Sequence, residues 1–237
     1  MLKGKNCFIT GATGGIGRHI ASSMAAEGCN LFLTSRKWPE LCTMSTELQN
    51  KYKVRVDYGI CNLNCVEEVE NTIRIVKDDY TQIDILINCA GAYIIDPLED
   101  LSLEEYETTM NVNVRAPFLL SKAFVTGMIE QQWGRIINIA SVSAYNGYKD
   151  NSLYCASKHA LLGFSRALHE ELKEHNVRVF SISPGATATP MGDKINREDV
   201  STFINPEEVA KYVTFVTSFD STMISEEIQL NRMQLPH

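Results

Sequence analysis

The chain has 237 residues, 44% of them hydrophobic, with a formal charge of −7 at pH 7. That length suits one large α/β unit with a full core better than two small domains. The acidic balance and the absence of a long basic run argue against partners such as nucleic acid or an acidic membrane, and no apolar run approaches the ~18 residues of a membrane span.

The elements alternate along the chain. "NCFIT" reads as a strand, followed by a helix with Ile16, Ile20 and Met24 on one face. "NLFLT" is a second strand, and a helix runs from about Pro39 to Tyr52, with Pro39 suited to its first turn. "VRVDYGI" is a third strand; the helix from Cys65 to Tyr80 then places Val66, Val69, Ile73 and Val76 on a buried stripe. "IDILIN" has the near-continuous apolar run of a strand buried on both faces. Ser102 to Gln132 is a long helical stretch in which Pro117 marks a kink or break. "GRIINIA" is a fifth strand, a helix follows around "SLYCASKHALLGF", and "VRVFSIS" is a sixth strand. Asn205 and Pro206 supply an N-cap and a first-turn proline for a last helix, and "SEEIQL" reads as a final strand. Such alternation predicts an α/β fold in a single domain over residues 1–237. Its sheet is doubly wound (Rossmann-type) and parallel, of about seven strands, with helices on both faces.

The N-terminus enters a strand-like run almost at once, so no signal peptide is expected. Seven cysteines at irregular spacing read as reduced thiols in a cytoplasmic protein. Cys61 and Cys65 have no second Cys or His pair near them, so no metal site is expected.

The first strand runs into "TGATGGIGRHI", where Gly11, Gly15 and Gly17 are spaced GxxxGxG. A strand, a glycine turn and a helix N-terminus make a site for a pyrophosphate, because glycines allow close approach and free N–H groups favour its charge. The second strand ends in "LFLTSRKW", with no carboxylate at Thr34 or Ser35 to take a ribose hydroxyl. Arg36 and Lys37 follow, and a guanidinium suits a 2′-phosphate, so NADP(H) is favoured over NAD(H).

Tyr154 and Lys158 stand four residues apart in helix, hence on one face. An ammonium about 4 Å from the phenol, at an effective dielectric near 20, favours the phenolate by about 4 kcal/mol, or roughly three pKa units. On that reading Tyr154 trades protons near neutrality. His159 points about 100° away around the helix and belongs to packing or a subunit contact.

Taken together the motifs resemble the short-chain dehydrogenase/reductase family along nearly the whole chain. "TGATGGIG" is similar to its glycine motif, and "NCAG", Asn88 to Gly91, to its NNAG motif with Cys89 in place of the second Asn. Asn113 in "NVNVRAPF" corresponds to its helix asparagine. Ser141 lies thirteen residues before Tyr154, the family's interval, and Tyr154 and Lys158 fit YxxxK. "SPGATATP" is similar to its PG segment, where Pro184, Gly185 and Thr189 border the nicotinamide. Three departures stand out. Asn62 occupies a position where the family often has Asp against adenine; Gly14 occupies one where many NADP-dependent members are basic; the C-terminus lacks a "GG" ending.

The resemblance implies a tetrad of Tyr154 as acid/base, Lys158 on the nicotinamide ribose, Ser141 donating to the carbonyl oxygen and Asn113 holding a water between Lys158 and solvent. Ser143, eleven residues before the tyrosine, is a rival to Ser141 and reads as a turn residue. The implied cofactor residues are Gly11, Thr13, Gly14, Gly15, Ile16, Gly17, Ser35, Arg36, Asn62, Leu63, Asn88, Ala90, Gly91, Tyr154, Lys158, Pro184, Gly185, Thr187 and Thr189. The implied reaction is hydride transfer between NADP(H) and a small carbonyl or secondary alcohol. A 3-oxoacyl-carrier-protein type of reductase and a sugar or polyol dehydrogenase are alternatives within the family; a non-catalytic dinucleotide scaffold or redox sensor is the alternative outside enzymes. Helices after the fourth and fifth strands pack on a second subunit in this family, implying a homodimer or homotetramer. Substrate choice falls to the loop with Met191, Ile195 and Phe203, and to Tyr93, Val142, Tyr145 and Tyr148.

Overall fold

Strands β1 (Asn6–Thr10), β2 (Asn30–Ser35), β3 (Val56–Ile60), β4 (Ile85–Asn88), β5 (Gly134–Ile139), β6 (Val177–Pro184) and β7 (Glu227–Leu230) form one sheet in the order β3-β2-β1-β4-β5-β6-β7. Every pairing is parallel. The computed structural model describes residues 2–194, 200–222 and 224–233. The helices are α1 (Gly15–Ala26), α2 (Trp38–Tyr52), α3 (Val66–Asp79), α4 (Leu103–Met110), α5 (Ala116–Glu130), α6 (Ser152–Leu172) and α7 (Pro206–Ser218).

Side chains alternate between the two faces of a strand, and both faces are apolar here. Cys7, Ile9, Ile85 and Ile87 point into one core with Ile20, Met24, Leu41 and Val213 from α1, α2 and α7. Phe8 and Leu86, one residue out of phase, point into the other with Val69, Val76, Leu120 and Phe124 from α3 and α5. The strand order reverses between β1 and β4, which leaves a crevice at their C-terminal ends. Among the described residues no helix is long and apolar enough to cross a membrane.

Local chemistry sets the helix ends. Asn205 accepts the Glu207 N–H at 2.9 Å ahead of Pro206, as the sequence predicts. Ser102 and Glu105 form a reciprocal capping box at the start of α4.

Two expectations need correction. The buried stripe of α3 is Val69, Thr72 and Val76, with Val66 and Ile73 only half-buried. Thr72 is tolerated there because its hydroxyl donates to the Glu68 carbonyl at 2.8 Å. Pro117 does not break the helical stretch. Asn111–Arg115 forms a π-helical turn just before it, with the Ala116 N–H reaching the Asn111 carbonyl. Pro117 has no N–H for the carbonyl of Asn113, and the wider turn accommodates its ring at the start of α5.

Candidate active site

Loops from the C-terminal ends of β1, β2, β4, β5 and β6 line a cleft of about 1170 Å³. At its outer end lies the glycine turn. Gly11 has φ +64°, a left-handed conformation, and a Cβ there would sit 2.8 Å from the Ala90 Cα. A Cβ on Gly17 would strike the Gly11 carbonyl, and one on Gly15 would strike the Thr189 side chain. Bare backbone is therefore required for the chain to fold this tightly. The start of α1 has no side-chain cap and no acid in its first turn, which leaves its N–H groups and dipole to favour an anion. These features fit a dinucleotide pyrophosphate.

Thr13 Oγ1 and Ser35 Oγ, 2.5 Å apart, join the glycine turn to the end of β2. Lys37 is held by Glu40 at 2.8 Å, and Arg18 by the Thr13 carbonyl at 3.0 Å and Glu40 at 3.5 Å. Arg36 is exposed, lines the cleft, and has no acceptor among the described residues. Beyond β3, Asn62 Oδ1 accepts the Asn64 N–H at 3.2 Å, beside buried Leu63. Arg115 and Asn111, on the π-turn, brace this loop through the Asn64 carbonyl and side chain at 2.7 and 2.9 Å.

At the inner end α6 presents Tyr154 and Lys158, only 8% and 3% exposed. Both side chains of the expected pair are buried at this end of the cleft. Lys158 Nζ donates to the Ile139 carbonyl at 2.8 Å, and it lies 5.6 Å from the centre of the Tyr154 ring. Burial raises the pKa of the Tyr154 phenol above its usual 10, and a hydrogen bond with Ser141 opposes this only in part. The same burial pulls Lys158 down from 10.5 to about 8. Burial thus works against the lowering expected from the Lys158 charge. Ser141 also accepts the Ser143 N–H at 3.1 Å, so Ser143 shapes the turn that presents Ser141.

Asn113 and Asn88 are the two predicted site residues that do not line the cleft. Asn113 is buried on the π-turn; its amide accepts the Ala92 N–H at 2.8 Å and donates to the Ala92 carbonyl and Ser157 Oγ, each at 2.9 Å. Asn88 donates to Asn138 Oδ1 at 2.8 Å, inside the sheet. Ala90 and Gly91 do line the cleft, as do Gly14, Ile16, Pro184, Gly185, Thr187 and Thr189. The Cys89 thiol, close to Lys158, is pushed up to about 12 by burial.

Ser157, Ala92 and the Ile139 carbonyl were not legible as site groups. Ser157 carried a weak signal, lying between Tyr154 and Lys158 on the buried face of the same helix. Tyr93, Val142 and Tyr148 line the cleft. Tyr145, expected to line it, instead donates to Glu227 Oε2 at 3.0 Å. His159 is exposed, its ring bonded to the Cys155 carbonyl at 2.9 Å. Met191 borders the cleft beside Gly91, Phe203 is buried, and Ile195 lies outside the described residues.

Residues 5–200 match the short chain dehydrogenase family. The chain is 32% identical over 236 residues to the 3-oxoacyl-(acyl-carrier-protein) reductase FabG of Aquifex aeolicus, covering 96% of this chain and 95% of that protein. It is 28% identical over 240 residues to the D-beta-hydroxybutyrate dehydrogenase of Cupriavidus necator, covering 92% of each. Among solved structures, the alcohol dehydrogenase of Thermococcus sibiricus complexed with 5-hydroxy-NADP superposes with a TM-score of 0.90 at 26% identity, over 99% of this chain and 100% of that one. The L-sorbose reductase of Gluconobacter frateurii complexed with NADPH and L-sorbose gives 0.88 at 28% identity, over 97% and 95%.

Proposed function

The chain belongs to the short-chain dehydrogenase/reductase family of NAD(P)-dependent oxidoreductases, and on that premise we propose that it transfers a hydride between NADP(H) and a small carbonyl or secondary alcohol. The observation that carries the reading is the buried Tyr154 phenol, hydrogen-bonded with Ser141 and one turn from Lys158, at the inner end of the cleft. Reduction of a ketone needs a hydride on carbon and a proton on oxygen, and NADPH supplies the hydride when bound. Tyr154 gives its proton to the carbonyl oxygen as charge develops there. Ser141 donates a hydrogen bond to the same oxygen. Lys158, positive below about pH 8, steadies the phenolate left behind until it is reprotonated. Oxidation runs the proton the other way, from the alcohol to the Tyr154 phenolate.

Asn113 serves this reaction by position. Its amide ties the chain at Ala92 to Ser157, the residue next to Lys158. Pro117 offers its carbonyl no N–H four residues on, so that carbonyl can accept from a water on the path from Lys158 to solvent. The preference for NADP(H) rests on unpaired Arg36, and the cytoplasmic reading on seven free thiols. The family names seen among the relatives supply candidate substrates, a sugar ketone or a 3-oxoacyl group, for a screen.

A homo-oligomer is supported by exposed Leu103, Tyr106 and Phe118 on α4 and α5, the last edge-on to Phe164 of α6. Light scattering at micromolar concentration tests it, and a monomer overturns it. The function itself is tested by NADPH oxidation against a panel of ketones and aldehydes, with Tyr154→Phe alongside. Turnover abolished in the variant is the expected result; equal turnover in both refutes the assignment.

A further inference from the structure

Tyr93 has no part in the proton and hydride transfers above, yet it stands against the residue that makes them. Its ring meets that of Tyr154 edge-on, with centroids 4.6 Å apart and planes at 66°. Lys158 Nζ lies 5.6 Å from the centre of the same Tyr154 ring, so both groups border it. Tyr93 also lines a second cavity, of about 320 Å³, walled by Ile94, Ile95, Asp96 and Glu105. Among the described residues Tyr93 alone borders both spaces. Resting on the carbonyl-reductase reading, we propose that Tyr93 is a specificity-determining residue whose ring closes the second cavity off from Tyr154 and so confines reduction to short carbonyl compounds.

The cavity walls say what would enter if that ring were removed. Ile94 and Ile95 line it together with Asp96 and Glu105, and more of its surface is polar than apolar. Residues 96–107 carry six carboxylates and no Lys, Arg or His. A neutral chain is therefore admitted along the two isoleucines, while one ending in a carboxylate is opposed by like charge. The ring of Tyr93 forms the barrier in this account, and its hydroxyl does not.

The test compares kcat/KM with NADPH across methyl ketones from butanone to long-chain members, and on a long ketone ending in carboxylate. Wild type, Tyr93→Phe and Tyr93→Ala are measured, with Tyr93→Leu as the substitute should the alanine variant fail to fold. Ratios of long to short substrate cancel any general loss from disturbing Tyr154. The expected result is a rise of about tenfold or more in that ratio for Tyr93→Ala. Tyr93→Phe keeps the wild-type ratio, and the carboxylate-ended ketone gains less than its neutral counterpart. An unchanged ratio in Tyr93→Ala, or a Tyr93→Phe profile equal to it, overturns the role of Tyr93 alone. A wild type that turns over no ketone overturns the carbonyl-reductase reading and this inference with it.

Discussion

Arg36→Leu removes the unpaired cation at the end of β2. Three cations lie in this corner, and two are already engaged: Lys37 by Glu40 at 2.8 Å, and Arg18 by Glu40 and the Thr13 carbonyl. Of these three, Arg36 alone has no acceptor among the described residues, and it lines the cleft next to Ser35 and Thr13, where a 2′-phosphate is expected. Hydrogen bonds to a charged group contribute about 1.5–3 kcal/mol, so the variant should bind NADPH roughly 10- to 150-fold more weakly. Exposure of Arg36 places the effect toward the lower end and makes it shrink as salt rises. NADH has no phosphate there, and its affinity should stay the same. Calorimetric Kd values for both nucleotides, at low and physiological salt, measure the ratio; Lys37→Leu serves as control and should change it less. A variant that keeps the NADPH preference, or loses both nucleotides equally, would refute the assignment of Arg36.

The remaining predictions concern the inner end of the cleft. Because burial sets Lys158 near pH 8, its charge is present below that value and lost above it. The kcat/KM for ketone reduction should therefore fall as pH rises through about 8, and Lys158→Met should be slow and lack that limb. A wild-type profile flat from pH 6 to 10 would contradict it. Asn113→Ala strands both backbone groups of Ala92 and leaves the Ser157 hydroxyl only its bond to the Tyr154 carbonyl, so it should lower unfolding stability by about 1–3 kcal/mol in denaturant titration. Unchanged stability would show that those groups find other partners.

The fold was largely legible because its signal is local. Each strand is a short apolar run, and Cys7, Phe8 and Ile9 show why both faces must be covered, since they feed two different cores. The glycine turn was legible for a similar reason: its close approaches fall on glycine, the residue type that lacks a side chain. What could not be read depends on contacts between distant segments. The Asn113–Ser157 bond joins residues 44 apart, and the π-turn is braced by Asn64, 47 residues from Asn111. Helical spacing placed Tyr154 and Lys158 on one face but gave no hint that the Ile139 carbonyl, 19 residues from Lys158, would claim the ammonium. It could not show how deeply the pair is buried, and burial pushes the Tyr154 phenol up, against the lowering that the spacing suggests. Tyr145 lies near Ser141 in sequence, yet Glu227 of β7 draws it away from the cleft.

The most direct measurement is the ionisation of Tyr154 itself, followed by carbon-13 NMR on ring-labelled tyrosine in the cofactor-free protein, with Tyr154→Phe assigning the resonance. A buried acid that waits to protonate a carbonyl should remain a phenol past pH 10, the ordinary value for tyrosine. A phenolate already formed at neutral pH would contradict the account.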